Sequence, residues 1–122
     1  MAFTTKSNGL HNGYSVMTEV VTVAGSGGTG TSSAFQLPKG TDFSVLATAA
    51  TITSLDLDCE LQLSHDGVTF GSVADIFETL GSGGTKTGFV DVSTTGEAPW
   101  MKIHFSRDGG TAGGDVTLSI IS

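Results

Sequence analysis

One stretch limits the fold more than any other. From Asp56 to Ser64 the chain alternates apolar and polar, then enters His65-Asp66-Gly67. A period of two places Leu57, Cys59, Leu61 and Leu63 on one face of a strand and Asp58, Glu60 and Gln62 on the other. Asp-Gly supplies the positive φ that a tight turn requires. The pattern returns in Met101, Ile103 and Phe105, which alternate with Trp100, Lys102 and His104. It returns again in Val116, Leu118 and Ile120, set against Thr117, Ser119 and Ile121. Such a chain is built for antiparallel sheet.

The remaining segments fit this reading. Val16 to Ala24 is rich in β-branched residues, with Val16, Thr18, Val20 and Thr22 on one side and Met17, Glu19, Val21 and Val23 on the other. Both sides are largely apolar, which suits a central strand or an interface. Further strands are expected over Ser33–Leu37, Asp42–Thr48, Val68–Ala74 and Thr87–Val92. A last hairpin is expected from Pro99–Ser106 and Asp115–Ile121. Ile76, Phe77 and Leu80 share a helical face, so Asp75–Leu80 is expected as one helical turn capped by Asp75. About eight strands at regular spacing predict an all-β, antiparallel β-sandwich of jelly-roll type. The division is an extended N-terminal arm over 1–15 and a sandwich domain over 16–122. In the arm, Phe3, Leu10 and Tyr14 stand as isolated anchors that can dock on a neighbour.

Composition narrows the function. The chain has 122 residues, of which 38% are hydrophobic and 18 are glycine, which suits one domain with a thin core and many turns. Net charge is −7, and the five cations are scattered, which argues against nucleic acid, since phosphate binding requires clustered cations. No stretch approaches the ~20 apolar residues of a membrane helix, and none of signal-peptide type opens the chain. Synthesis in the cytoplasm is expected. Cys59 lies on an apolar strand face and is expected as a core residue.

The chemical constellations are thin. Gly25-x-Gly27-x-x-Gly30 has dinucleotide-loop spacing, but Thr31 to Pro38 reads as a short strand cut by proline, where that motif needs a helix. Asp56, Asp58 and Glu60 line one strand face at about 6–7 Å intervals and, with Asp66, offer oxygens for Ca²⁺; a solvated face that blocks edge pairing is the simpler reading. His11, His65 and His104 have no zinc spacing. Ser64, His65 and Asp66 are contiguous, so on a strand they point to alternate faces and form no triad. Trp100 opposes the apolar set of its strand, so it either contacts another surface or covers the end of the core. No catalytic, cofactor or metal residue is assigned, and an enzyme is not expected.

The units Leu61 to Phe70, Ala98-Pro99-Trp100 to Phe105, and Val116 to Ile120 resemble small structural proteins of tailed bacteriophages. These carry a strand, a Ser-x-Asp-Gly-x-Thr-Phe/Trp turn and an Ala-Pro-aromatic-x-Arg/Lys strand. The resemblance spans residues 42–121 and is greatest to the β-sandwich cement, or decoration, proteins of capsid surfaces. Phe70 stands where Trp is frequent, and Lys102 where Arg is frequent. The resemblance implies a virion protein that binds the major capsid protein on the outside of the shell, often as a homotrimer. It also implies contact residues in the arm and at Trp100. Tail-associated and carbohydrate-binding modules share such turns and are the alternative.

Overall fold

A computed structural model describes residues 3–8, 14–24, 28–49, 56–80, 84–96, 98–108 and 113–122. These form nine strands and one short helix: β1 (Thr4–Asn8), β2 (Tyr14–Val23), β3 (Thr29–Thr31), β4 (Phe43–Ala49), β5 (Asp56–Ser64), β6 (Gly71–Leu80), β7 (Thr85–Val90), α1 (Val92–Thr95), β8 (Trp100–Asp108) and β9 (Gly114–Ile121). Two antiparallel sheets result, in the orders β1-β2-β9-β4-β7 and β3-β8-β5-β6. Without β1, the two sheets are the paired four-stranded layers of a jelly roll, in which the first strand lies beside the last. The expected β-sandwich is therefore the fold.

Alternation explains the core. Phe43, Val45, Ala47 and Ala49 of β4, Val116, Leu118 and Ile120 of β9, Leu57, Cys59 and Leu61 of β5, and Ile103 and Phe105 of β8 are all buried between the layers. The ring of Phe35 meets Phe43 edge-on at 6.0 Å and Phe3 at 5.5 Å. The Cys59 thiol is pushed up in pKa, first by burial and then by the charge of Glu60, which makes it a packing residue rather than a nucleophile. Glu19 is a buried carboxylate on the inward face of β2. Its Oε1 accepts the Ser33 N–H at 2.9 Å. That bond ties the chain leaving β3 to the opposite sheet.

Four expectations are corrected. Thr4–Asn8 is a strand paired with β2, with Thr4 opposite Thr18 and Asn8 opposite Tyr14, so this part of the arm is not irregular. Asp75–Leu80 is the second half of β6, not a helical turn. The register of β5 with β6 shifts three times, between Leu57 and Cys59, Cys59 and Glu60, and Leu61 and Gln62. Each extra residue on β6 breaks the period of two, and what remains imitates helical spacing. The strand expected at Ser33–Leu37 is reduced to one bridge, Phe35 with Met101, and the preceding strand is Thr29–Thr31. Finally, β8 and β9 are not a hairpin: they lie in different sheets. Alternation locates strands but says nothing about which strand pairs with which.

The two outward faces differ. On the larger sheet, cross-strand rows run Val16–Ile121–Ser44–Phe89, Thr18–Ser119–Leu46–Thr87 and Val20–Thr117–Thr48–Thr85. None of these residues is ionisable; the next row, Thr22–Asp115, carries one carboxylate, whose Oδ1 accepts from Thr22 Oγ1 at 2.9 Å. Hydroxyls pair across strands, Thr18 Oγ1 with Ser119 Oγ at 3.1 Å and Thr48 Oγ1 with Thr85 Oγ1 at 3.3 Å. Phe89 is 66% exposed at the end of its row. On the smaller sheet, Asp58, Glu60 and Gln62 of β5 stand opposite Ser106, His104 and Lys102 of β8.

Candidate functional site

The turn after β5 is held by its own side chains. Ser64 Oγ donates to Asp66 Oδ1 at 2.8 Å and accepts the Gly67 N–H at 2.9 Å. Asp66 Oδ1 also accepts the N–H groups of Val68 and Thr69 at 2.8 and 2.9 Å. Those bonds, that of Thr69 first, hold the Asp66 carboxyl down to about 2, so it is a poor base near neutrality. Gly67 has φ +77°, and a Cβ there would lie 3.0 Å from the Trp100 ring. Trp100 is half-buried and lies against this turn. Of the two roles open to it, covering its own fold is the one observed. His65 is exposed beside the turn and makes no triad with Ser64 and Asp66. Lys102 Nζ sits 4.4 Å from the centre of the Phe70 ring.

The acidic strand face is engaged in strand pairing. Glu60 Oε1 accepts from Ser72 Oγ at 3.0 Å and from Gln62 Nε2 at 3.4 Å. Among the described residues, no group of three His, Cys, Asp or Glu is placed to hold a metal ion. The side chain of Asp56 lies outside the described residues. His104 Nδ1 is 2.7 Å from Thr31 Oγ1 across β3 and β8. Gly30 of the glycine motif is a residue of β3, and a Cβ on it would lie 2.6 Å from the Thr22 carbonyl oxygen. Its missing side chain serves strand packing, not a phosphate.

Of the four expected contact residues, Phe3 and Trp100 are described with their side chains. Phe3 is half-buried, and its ring packs on the core through Phe35. Tyr14 begins β2, and its side chain, like the whole of Leu10, lies outside the described residues. Trp100 is at the opposite sheet.

Two clefts open side by side at one end of the sandwich. The larger, of about 480 Å³, lies between the β3–β4 connection, Gln36 to Thr41, and the segment from Thr95 to Met101. The smaller, of about 400 Å³, lies between α1 and the start of β6, beside His65. Thr95, Gly96 and Ala98 form the wall they share. That wall is anchored by Asp91, which caps α1: its Oδ1 accepts from Ser93 Oγ at 2.6 Å and from Thr94 N at 2.9 Å. The Ser93 hydroxyl bond, then the Thr94 bonds, lower the Asp91 carboxyl below its ordinary range. Sequence reading passed over these clefts. Their one visible signal was that the only two prolines, Pro38 and Pro99, flank short turns.

No protein-family model matches the chain, and no curated protein matches its sequence. Solved structures share its fold. The Yersinia pseudotuberculosis-derived mitogen superposes with a TM-score of 0.54 at 12% identity, covering 86% of this chain and 83% of that one. The C-terminal extracellular domain of Mycobacterium tuberculosis EmbC gives 0.51 at 12% identity, over 88% of this chain and 41% of that one. A viral protein of the infectious bursal disease virus Gx strain gives 0.48 at 15% identity, over 87% and 31%. The first two, with TM-scores above 0.5, show a shared fold, and at these identities nothing about activity follows.

Proposed function

We propose that this chain is a non-enzymatic structural protein of a phage particle, a sandwich that seats on the outside of the assembled capsid and stabilises it. One observation carries the reading. The turn, which resembles those of phage cement proteins, serves as scaffold: Ser64 and Asp66 lock it, Gly67 admits Trp100, and Phe70 supports Lys102. None of these groups is left poised for chemistry.

The outward face of β2, β9, β4 and β7 suits such a role. Roughly 25–35% of a typical surface is charged, which would put about three or four ionisable groups among those rows. The three rows have none, and the next row adds a single carboxylate, Asp115, in a chain of net charge −7. A face with so few ionisable groups can meet a shell with little charge to desolvate. Apolar area buried there contributes about 25 cal/mol per Å² at every site of a symmetric shell. The partner in this reading is the major capsid protein, and the trimer implied by the resemblance belongs to the same proposal.

The test is co-sedimentation with emptied, expanded capsids of a tailed phage. The protein should travel with the shells and raise their melting temperature. Leu46→Lys should weaken binding at least about tenfold, a loss of about 1.4 kcal/mol, while Gln62→Lys on the other sheet should bind like the parent. Absence of binding at saturating protein, or equal loss from both variants, overturns the proposal.

A further inference from the structure

We propose that Phe89 is the anchor of the docking face and that it enters an apolar pocket with a basic rim on the partner. Phe89 in this role rests on the capsid reading above and sharpens it, since it fixes which residue carries the contact and what kind of surface receives it.

The first support is an exposed ring on a rigid mount. Phe89 is 66% exposed, and among the described side chains it is the one exposed aromatic. Its neighbours Gly88 and Val90 are buried, so the period of two turns it outward. The strand cannot turn over. Val90, Phe89 and Gly88 pair with Phe43, Ser44 and Val45, and any Cβ at Gly88 would collide with Ile76 Cγ2 of β6. A slip of one residue would carry the Phe89 ring to the place that Ile76 fills. The chain beyond is held as well, because Asp42 Oδ1 accepts the Val92 N–H at 2.6 Å. A ring presented this way has little backbone freedom left to lose on binding.

The second support is what surrounds the ring. Its row continues through Ser44 to the half-buried Ile121 and Val16, and Val92, three residues on, is 39% exposed. The next two rows are mostly hydroxyl, so the apolar side chains gather at the Phe89 end of the face. An aromatic ring beside aliphatic neighbours is the make-up of an interface anchor, which gains most when a pocket removes it fully from water. Just past the Phe43–Val90 pair, the two strands end in Asp42, exposed, and Asp91, half-buried. The pocket that takes the ring therefore meets two carboxylates at its lip, and Lys or Arg there is the complement.

The experiment is co-sedimentation of the whole chain with emptied, expanded capsids, comparing the parent with Phe89→Thr, Phe89→Leu and Leu46→Lys. Threonine removes the ring but keeps a strand-forming residue. Phe89→Thr should weaken binding at least about thirtyfold, and Phe89→Leu should weaken it less. Raising salt from about 0.05 to about 0.3 M should weaken the parent, because the carboxylates and the basic rim are screened from each other. The urea midpoint of Phe89→Thr should stay near that of the parent, since the ring is exposed. If Phe89→Thr binds like the parent while Leu46→Lys loses binding, the anchor is overturned and the capsid reading stands. A parent that does not bind at saturating protein overturns both. Binding that salt leaves unchanged overturns the basic rim. A large fall of the urea midpoint in Phe89→Thr makes Phe89 part of the fold and overturns the anchor.

Discussion

The outward face of the β2-β9-β4-β7 layer and that of the β5-β8 pair sit on one core, yet they differ in kind. The first is hydroxyl and β-branched, with no ionisable side chain in three successive rows and one, Asp115, in the next. The second carries Asp58, Glu60, Lys102 and His104 on two strands, and a tryptophan laid over a turn. Their inward residues are interchangeable in type, because both layers must exclude water from the same space. Their outward residues are free of that demand. The core therefore does not dictate the chemical difference between the faces, and the one with few ionisable groups is the docking face of the proposal.

The shared core sets the upper limit for any effect on either face. Phe105→Ala, at a fully buried site, should cost about 3–5 kcal/mol in urea unfolding, since the cavity cannot close between two sheets. An outward charge that costs as much would break the comparison, because it would make the face part of the core. Gly67→Ala comes next. The residue must hold φ +77° with its new methyl about 3.0 Å from the Trp100 ring, and positive φ alone costs about 1–2 kcal/mol. The emission of Trp100, the only tryptophan, should shift as the ring moves, and an unchanged spectrum would remove the turn contact from the charged face. Phe70→Leu should cost about 0.5–1 kcal/mol by releasing Lys102, with less loss at high salt.

Acid sharpens the contrast further. The folded carboxyl of Asp66 titrates at about 2, below its ordinary 3.8, and that of Asp91 is lowered too. A depressed folded pKa contributes stability that is complete above the ordinary value and is lost as pH falls through the folded one. The urea midpoint should therefore hold down to about pH 4 and decline toward about pH 2, and Asp66→Asn should flatten part of that decline. Decline that starts well above pH 4 would point to other groups. The smallest effect on stability belongs to the neutral face: Thr117→Lys should change it by less than about 0.5 kcal/mol, measured beside Gln62→Lys on the opposite sheet. If Thr117→Lys instead destabilises strongly, the face is structural rather than a docking surface.

Much of this was legible in the residues. The alternation from Asp56 to Ser64 and that of β8 and β9 place their inward side chains correctly, and Val16 to Val23 already showed two apolar sides. One side is now seen to be core and the other the neutral face. Asp75 to Leu80 imitates a helical turn because two of the three register shifts of β6 fall within it and erase the period of two. The role of Trp100 was open because its partner, Gly67, is distant in sequence and gives no periodic signal. The clefts leave no trace in the sequence beyond the two prolines for the same reason: Pro38 and Pro99 come to line one cleft only after the chain has crossed between the sheets several times.

The sequence by itself determined that this protein is antiparallel sheet with one sandwiched core, because side-chain direction along a strand is a local property with a fixed period. It also determined the locked Asp66 turn, whose bonds join residues within a few positions of each other. Only the tertiary structure decided that β8 and β9 part to different sheets, that β1 extends the larger one, that ionisable groups are sparse on one face, and that two prolines frame a cleft. Those outcomes depend on strand order, which is chosen by the sum of long-range pairings and the burial they permit, and no single segment carries that sum.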